Sequence, residues 1–299
     1  MFKYFITFLI FIIFFIVFKN YDKKNEDIQV KRSNIEQVNK TYIHKKPKTI
    51  SFCGEQAPIE NQEIWERLDK EILKNSFFHS NTILYIKRAN KYFPTIEKIL
   101  KENNIPDDFK YLCLIESGLE NVVSPKDARG YWQILEKTGK AGGLEINKYI
   151  DERYHLEKST EFACKYLKES YERFNSWTLA AASYNMGKRG LERQIEKQKT
   201  NDYYKLLLNS ETAKYVFRIM AVKHILENRI EFGFLINEND LYYLENFQNI
   251  TIDSSISSIV SFSLSLNSDY KTIKKLNPWI RQNRLPNKSK KEYTIKIPK

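Results

Sequence analysis

The sequence predicts a mainly α-helical protein that ends in a small α+β module. The 299 residues include only 9 glycines and 8 prolines, fewer than a fold rich in strands and tight turns needs. From residue 61 to about 230, apolar residues recur at the spacing of helices, whereas residues 241–266 contain β-compatible runs. Hydrophobic residues make up 42% of the chain, so a chain of this length can bury a sizeable core.

Residues 1–19 are predicted to be a targeting segment. The unbroken apolar run from Tyr4 to Phe18 covers roughly 22 Å as a helix, short of the ~30 Å hydrocarbon core. Lys3 and Lys19 can extend this reach to the interfaces. The run lacks the small residues of a cleavage site, so an uncleaved signal-anchor is favoured over a cleaved signal peptide.

Residues 20–60 are polar and are predicted to be a tether. The helical domain is expected to follow over 61–232. Within it, helices are predicted from apolar spacing and from end signals such as proline in a first turn or glycine after a last one. They are expected near 61–73, 92–100, 107–116, 130–138, 151–174, 177–186 and 211–227.

The stretch from Tyr111 to Gly118 carries the clearest functional signal. It is an apolar segment that ends in Glu116, Ser117 and Gly118, and glycine suits the position just past a helix end. A glutamate at the end of an apolar helix is either a capping or salt-bridged residue or a working acid. Burial would favour the second role, because it stabilises the protonated carboxyl group.

Three later clusters combine aromatic rings with amides. They are Gly130-Tyr-Trp-Gln-Ile134, Ala181-Ala-Ser-Tyr-Asn-Met-Gly187 and Glu211-Thr-Ala-Lys-Tyr-Val216. Aromatic rings stack on the apolar faces of sugars, and amides hydrogen-bond to sugar hydroxyl and acetamido groups. Together with a single acid among apolar residues, these clusters predict cleavage of a glycosidic bond.

Residues 107–226 resemble the lytic transglycosylases that have a goose-lysozyme-like SLT domain, most closely those of the membrane-bound murein D type. The resemblance implies a lysozyme-like helical fold and rests on the order and spacing of several motifs. These are Ile115-Glu-Ser117, Ser124-Pro125, Gly130–Ile134, Asp151-Glu-Arg153, Ser159-Thr-Glu161, Tyr184–Gly187 and Tyr215-Val216.

The resemblance implies that Glu116 is the single catalytic acid and base. In that family the acid protonates the oxygen that links N-acetylmuramic acid to N-acetylglucosamine, and then takes the proton of the muramic C6 hydroxyl. The products end in 1,6-anhydro-N-acetylmuramic acid and no water is consumed, so the enzyme is a lyase acting on peptidoglycan. Glu120 and Asp127 lie nearby in the sequence but hold no catalytic position of the family.

The resemblance also implies substrate-binding or supporting residues around the acid. Ser117 either supports Glu116 or simply ends its helix. Gln133 is expected to hydrogen-bond to the substrate. Tyr131 stands where the family usually has leucine, and of Tyr131 and Trp132 one is expected to wall the cleft while the other belongs to the core.

Further cleft residues are expected from the two later clusters. Tyr184 is expected to orient Glu116, and Asn185 to bind an acetamido group. Tyr215 is expected to line the cleft, with a place in the aromatic core as the alternative.

Residues 251–299, reached through a linker at 233–250, resemble a degenerate LysM, a peptidoglycan-binding module. Leu276-Asn-Pro278 and Ile295-Lys-Ile-Pro298 carry this resemblance, while the usual Gly-Asp-Thr opening is missing. Residues 267–299 contain ten lysines and arginines against two acidic residues, within a chain of net charge +12. A polyanionic cell-wall polymer is the expected partner of this charge, and a solvated lysine-rich surface is the alternative.

No metal or cofactor is expected. The three cysteines, Cys53, Cys113 and Cys164, form no CxxC pair or Cys/His cluster. Cys113 and Cys164 lie in apolar helical patterns and are expected in the core, and Cys53 is expected to be a free thiol.

Peptidoglycan lies outside the cytoplasmic membrane, so the expected location is the periplasmic side of the cell envelope, anchored by residues 4–18. The charges flanking that segment argue the other way, because Lys19, Lys23 and Lys24 outnumber Lys3. The rival functions are a hydrolytic muramidase of the same fold and a non-catalytic peptidoglycan-binding protein. A nucleic-acid binder is disfavoured because no nucleic-acid-binding motif is present.

Overall fold

The computed structural model of the chain describes Lys19 and residues 44–299. The chain divides into two compact units, residues 1–46 and residues 47–299, and every feature below lies in the second. The apolar run of residues 4–18 is outside the described residues. Among the helices that are described, none has the length and apolar character needed to cross a bilayer.

The body is mainly helical, as predicted. A two-residue hairpin comes first, with β1 at Ser51–Phe52 and β2 at Glu55–Gln56, and eight helices follow. These are α1 (Gln62–Phe77), α2 (His79–Glu102), α3 (Phe109–Ser117), α4 (Glu136–Ala141), α5 (Leu156–Phe174), α6 (Trp177–Met186), α7 (Lys188–Gln198) and α8 (Ser210–Glu227).

Local signals explain where several helices begin and end. The Asn61 side chain accepts hydrogen bonds from the backbone of Glu63 and Ile64 and so caps α1. Helix α3 ends at Ser117 because Gly118 adopts the left-handed conformation (φ 63°). The three consecutive alanines of α6 are all fully buried, which lets α6 pack closely against α5 and α8.

The helix predicted near residues 130–138 is wrong in its position. Gly130 (φ 78°) and Gln133 (φ 48°) both have left-handed backbone conformations, which a right-handed helix cannot contain. Residues 127–134 instead form a loop, closed by reciprocal backbone hydrogen bonds between Arg129 and Ile134, and helix α4 begins only at Glu136. We call residues 127–134 the Gln133 loop.

Two other helices depart from the predicted pattern. The segment near 151–174 begins with a single 3-10 turn at Glu152–Tyr154, and α5 starts at Leu156. Helix α7 was not predicted, because it is strongly charged and buries only Leu191.

The C-terminal module has the predicted α+β character. Strand β3 (Phe247–Ile252) pairs antiparallel with β4 (Tyr293–Pro298), in a register that sets Ile250 opposite Ile295. Two short helices, α9 (Ile259–Ser265) and α10 (Tyr270–Leu276), complete it. Its small core also contains Ile150 and Tyr154 from the helical part of the chain.

The cysteine predictions are confirmed. All three thiols are free, and Cys113 and Cys164 are buried while Cys53 is partly exposed.

Candidate active site

Glu116 lies in the last turn of α3 and is paired with a tyrosine from a distant helix. The Tyr215 hydroxyl, on α8, donates a hydrogen bond to Glu116 Oε1. Burial raises the pKa of the Glu116 carboxyl from 4.5 to about 7. The hydrogen bond from Tyr215 and the positive charge of Arg218 both act against this rise.

A cleft of about 370 Å³ opens beside Glu116. Its walls come from the Gln133 loop, from α4 and α5, and from the end of α6. Among the described residues that line it, Glu116 is the one carboxylate; others are Gln133, Thr138, Phe162, Tyr184, Asn185 and Met186. A bound molecule would therefore meet one carboxyl group among apolar, hydroxyl and amide side chains, together with Lys126.

Two larger hollows extend the cleft. One of about 710 Å³ shares Lys126, Asn185 and Met186 with it, and one of about 690 Å³ shares Phe162 and Tyr166. Basic side chains line both, among them Lys126, Arg193 and Lys197 in the first and Lys137, Lys165 and Arg189 in the second. We call the three adjoining spaces, which share lining residues, the groove; Glu116 lines the cleft that adjoins both hollows.

Ser117 connects the end of α3 to the Gln133 loop. Its hydroxyl donates to the backbone carbonyl of Tyr131 at 2.7 Å and accepts from the backbone N–H of Leu119 at 3.1 Å. This side chain therefore lies in a supporting position next to the acid.

Gln133 lines the cleft and is held by its own loop. Its side-chain nitrogen donates to the carbonyl oxygens of Val122 (3.1 Å) and Gly130 (2.9 Å). Because the nitrogen is engaged in this way, the amide oxygen of Gln133 is the atom left to accept a hydrogen bond from a bound molecule.

The structure corrects the orienting role expected of Tyr184. The Tyr184 hydroxyl donates to the backbone carbonyl of Trp132 at 2.8 Å, and the hydroxyl that reaches Glu116 is that of Tyr215. Asn185 also lines the cleft, where its side-chain oxygen accepts a hydrogen bond from the Thr212 hydroxyl at 2.7 Å. This contact fixes the amide plane and leaves its N–H groups to meet an acceptor.

The structure also corrects the expectation for the neighbouring aromatic pair, because neither ring walls the cleft. Trp132 is fully buried and its indole N–H donates to Thr160 Oγ1 at 2.8 Å, so it supports the site only through packing and through its backbone carbonyl. Tyr131 is also buried. It packs on Tyr92, with ring centroids 5.1 Å apart, and lines a cavity shared with the C-terminal module.

The two other carboxylates near Glu116 in the sequence are engaged in ion pairs. Glu120 pairs with Arg88 at 2.6 Å, and Asp127 pairs with Arg129 at 2.8 Å. Sequence reasoning missed Phe162, Thr138 and Thr212 as parts of the site. The apolar pattern of α5 places Phe162 in the core as readily as in a cleft, so only the tertiary arrangement identifies it.

Comparison with known proteins identifies both segments of the body. Residues 93–207 match the family model of the transglycosylase SLT domain, and residues 248–299 match that of the soluble lytic transglycosylase C-terminal LysM-like domain. The predicted resemblance of the chain to lytic transglycosylases, and of its tail to LysM, is confirmed.

The similar curated proteins include the membrane-bound lytic murein transglycosylase D of Escherichia coli K12 and its counterpart in strain O6:H1. Each is 29% identical to this chain over 199 residues, which cover 64% of this chain and 43% of the relative. A putative tributyltin chloride resistance protein of Alteromonas sp. M-1 is 29% identical over 133 residues, 43% of this chain and 64% of that protein. The chain thus spans less than half the length of the E. coli relatives.

Proposed function

From the premise that residues 93–207 are an SLT domain, we propose that this protein is a peptidoglycan lytic transglycosylase with a lysozyme-like catalytic domain. It cleaves the bond between N-acetylmuramic acid and N-acetylglucosamine, without water, to give 1,6-anhydro-N-acetylmuramic ends. The observation that carries the proposal is Glu116, a lone carboxyl in the cleft whose pKa is raised to about 7.

In the first step, the protonated Glu116 carboxyl donates its proton to the glycosidic oxygen. The bond from muramic C1 to that oxygen breaks, and N-acetylglucosamine leaves with a free hydroxyl. A raised pKa supports this role, because a general acid works best when its pKa is close to the ambient pH.

In the second step, the muramic C6 hydroxyl attacks C1 and transfers its proton to the Glu116 carboxylate. The ring closes, the carboxyl group is restored, and no atom is added to the substrate. The Tyr215 hydroxyl stabilises the transient carboxylate, because it donates to Oε1. With no second carboxylate among the described residues that line the Glu116 cleft, the substrate's own acetamido group stabilises positive charge at C1.

Two amides of the cleft are assigned to substrate binding. The N–H groups of Asn185 donate to an acetamido carbonyl, and the side-chain oxygen of Gln133 accepts from a sugar N–H or hydroxyl. Both side chains are already oriented by protein hydrogen bonds, so binding requires little reordering. Ser117 and Tyr184 hold the Gln133 loop through the backbone carbonyls of Tyr131 and Trp132, and the buried Trp132 ring anchors that loop to Thr160.

Mass spectrometry of murein digested by the purified protein tests this function. Anhydro-muropeptides are expected. Products heavier by one water, with reducing muramic ends, would establish a hydrolytic muramidase instead, and absence of any cleavage would establish a non-catalytic binding protein.

The same proposal gives the location and the partners. The partner is the glycan strand of peptidoglycan, bound in the groove and by the LysM-like module. The body faces the periplasm and is anchored by residues 4–18, which agrees with the membrane-bound E. coli relative. A reporter enzyme fused after residue 40 tests this, since reporter activity in the cytoplasm would contradict it.

The activity is expected to fall as pH rises through about 7. Only protonated Glu116 can donate to the glycosidic oxygen, so kcat/KM is highest below its pKa and is lost above it. In Tyr215→Phe, the hydrogen bond that favours the Glu116 carboxylate is gone, so the pKa of Glu116 should rise. The falling limb of the pH–rate profile should therefore move to higher pH. Because the oriented donor is also lost, kcat should drop about tenfold.

The measurement is a pH profile of initial rates on soluble glycan fragments. Tyr184→Phe is the matched control, because its hydroxyl binds a backbone carbonyl rather than the acid, and its falling limb should stay in place. A limb that moves in Tyr184→Phe and not in Tyr215→Phe would contradict the assignment.

A further inference from the structure

The C-terminal module shares its core with the chain just before α5. Ile150 and Tyr154 are buried there together with Trp279 and Ile280. The backbone N–H of Asp151 donates to the Trp279 carbonyl at 2.9 Å, and that of Arg281 donates to the Tyr149 carbonyl at 2.7 Å. These paired bonds join residues 149–151 to the module as a short antiparallel bridge.

Charged and aromatic side chains surround this junction. Lys291 binds Glu145 at 2.6 Å and Lys296 binds Glu157 at 2.5 Å, each connecting the module to the helical domain. The Arg281 guanidinium lies 4.0 Å from the centre of the Tyr154 ring. The module is therefore held on both sides of residues 149–154.

Two residues of this junction, Asp151 and Arg153, hold the Gln133 loop in place. Asp151 binds Arg153 through two hydrogen bonds of 2.9 and 2.8 Å, and both side chains are buried. Arg153 Nη1 donates to the carbonyl oxygens of Asp127 and Ile134, both at 3.3 Å. These two residues are the ends of the loop.

The backbone of Arg153 also contacts the middle of the Gln133 loop. A Cβ atom built on Gly130 would lie 1.9 Å from the Arg153 carbonyl oxygen, so the two backbones are in direct contact. A displacement of residues 151–153 must therefore move residues 127–134, and with them the Gln133 side chain in the cleft.

We propose that the C-terminal module is a positioning element of the active site: it holds Asp151 and Arg153, and through them the Gln133 loop. The module contributes no group to the reaction. The predicted effect on kcat rests on the proposed function. The mechanical coupling between the module and the Gln133 loop does not depend on it.

The coupling predicts a kinetic effect that a separate binding module would not have. Ile150→Ala opens a cavity where the module meets the helical domain. On a glycan fragment too short to reach the module, kcat should fall about tenfold, because a displaced Gln133 loop misplaces the substrate relative to Glu116. Loss of a binding module alone would leave this kcat unchanged.

Hydrogen exchange on the full-length chain tests the coupling without any activity. In Ile150→Ala, amides of residues 127–134 should exchange about tenfold faster, while those of α8 keep their protection. Ile150→Val should restore both the exchange and kcat. Unchanged exchange in the loop would overturn the proposal, and so would faster loop exchange with kcat unchanged.

Two lysine variants keep the test valid if Ile150→Ala unfolds the module. Lys296→Met breaks a pair with the helical domain, whereas Lys275→Met breaks a pair with Glu245, just before β3. Only Lys296→Met should loosen the loop, and equal effects of the two would overturn the proposal. If the wild type releases no anhydro-muropeptides, the proposed function fails, and the exchange comparison still decides the coupling.

Discussion

Replacing Glu116 with glutamine is expected to lower kcat for murein cleavage by about a thousandfold or more. Glutamine keeps the size of the side chain but can neither donate the proton to the glycosidic oxygen nor accept the one from the C6 hydroxyl. Proton transfer by a positioned group contributes about 10²–10⁴-fold to a rate, and here one carboxyl performs both transfers. Quantification of muropeptides released by purified wild type and Glu116→Gln measures the loss.

The same substitution is expected to stabilise the fold above neutral pH. The pKa of Glu116 is about 7 in the folded protein against an ordinary 4.5, so the folded state binds the proton more tightly. Its contribution to stability is complete below pH 4.5 and is lost as pH rises to 7, a change of about 3 kcal/mol. Glutamine does not ionise, so Glu116→Gln should unfold at higher denaturant concentration than wild type at pH 8, with little difference at pH 4.5.

Glu120→Gln is the matched control for both effects. Glu120 is exposed and paired with Arg88, four residues along the chain from the acid, and its replacement should leave cleavage and the pH dependence of stability essentially unchanged. A folded Glu116→Gln protein that releases muropeptides within tenfold of the wild-type rate would overturn the catalytic assignment.

Replacing Gly130 with alanine is expected to destabilise the protein by about 2–5 kcal/mol. The left-handed backbone at φ 78° costs a residue with a Cβ atom about 1–2 kcal/mol. The new methyl group would also lie 1.9 Å from the Arg153 carbonyl oxygen, and such overpacking adds about 1–3 kcal/mol. The loop must shift to relieve the clash, so kcat should fall about a hundredfold even at temperatures where the variant is folded.

Gly143→Ala separates the cost of a left-handed backbone from the cost of the steric clash with Arg153. Gly143 has a similar left-handed backbone (φ 98°), but a Cβ atom there would meet no atom within 4 Å. Urea unfolding should therefore show only the smaller cost of about 1–2 kcal/mol for this variant, with kcat unchanged. Equal losses of stability for the two variants would mean that the contact with Arg153 does not constrain the loop.

Local signals in the sequence were sufficient for much of the helical domain. The end of α3 follows from Gly118, because glycine adopts the left-handed conformation without a steric penalty. The Gln133 loop shows the limit of such signals. Its residues were predicted to form a short helix, whereas Gly130 and Gln133 have left-handed backbone conformations, and the Gly130 backbone lies against the carbonyl of the distant Arg153.

Residue types predicted which side chains line the cleft better than they predicted its hydrogen bonds. An acid among aromatic and amide side chains favoured cleavage of a glycosidic bond, and Gln133 and Asn185 do line the cleft beside Glu116. Which tyrosine reaches the acid was not readable, because Tyr184 and Tyr215 both lie near helix positions that face inward. The departure at Tyr131 concerns the cavity next to the C-terminal module and not the cleft.

The sequence by itself determined the helical class, the position of a glutamate at the end of α3 and the LysM-like tail, because each depends on residues that are neighbours along the chain. The tertiary structure alone decided that Tyr215 binds Glu116 across 99 residues, and that the tail completes its core with Ile150 and Tyr154. Such contacts depend on how helices cross and on which apolar surfaces meet, and neither is encoded in the spacing of residues within one element.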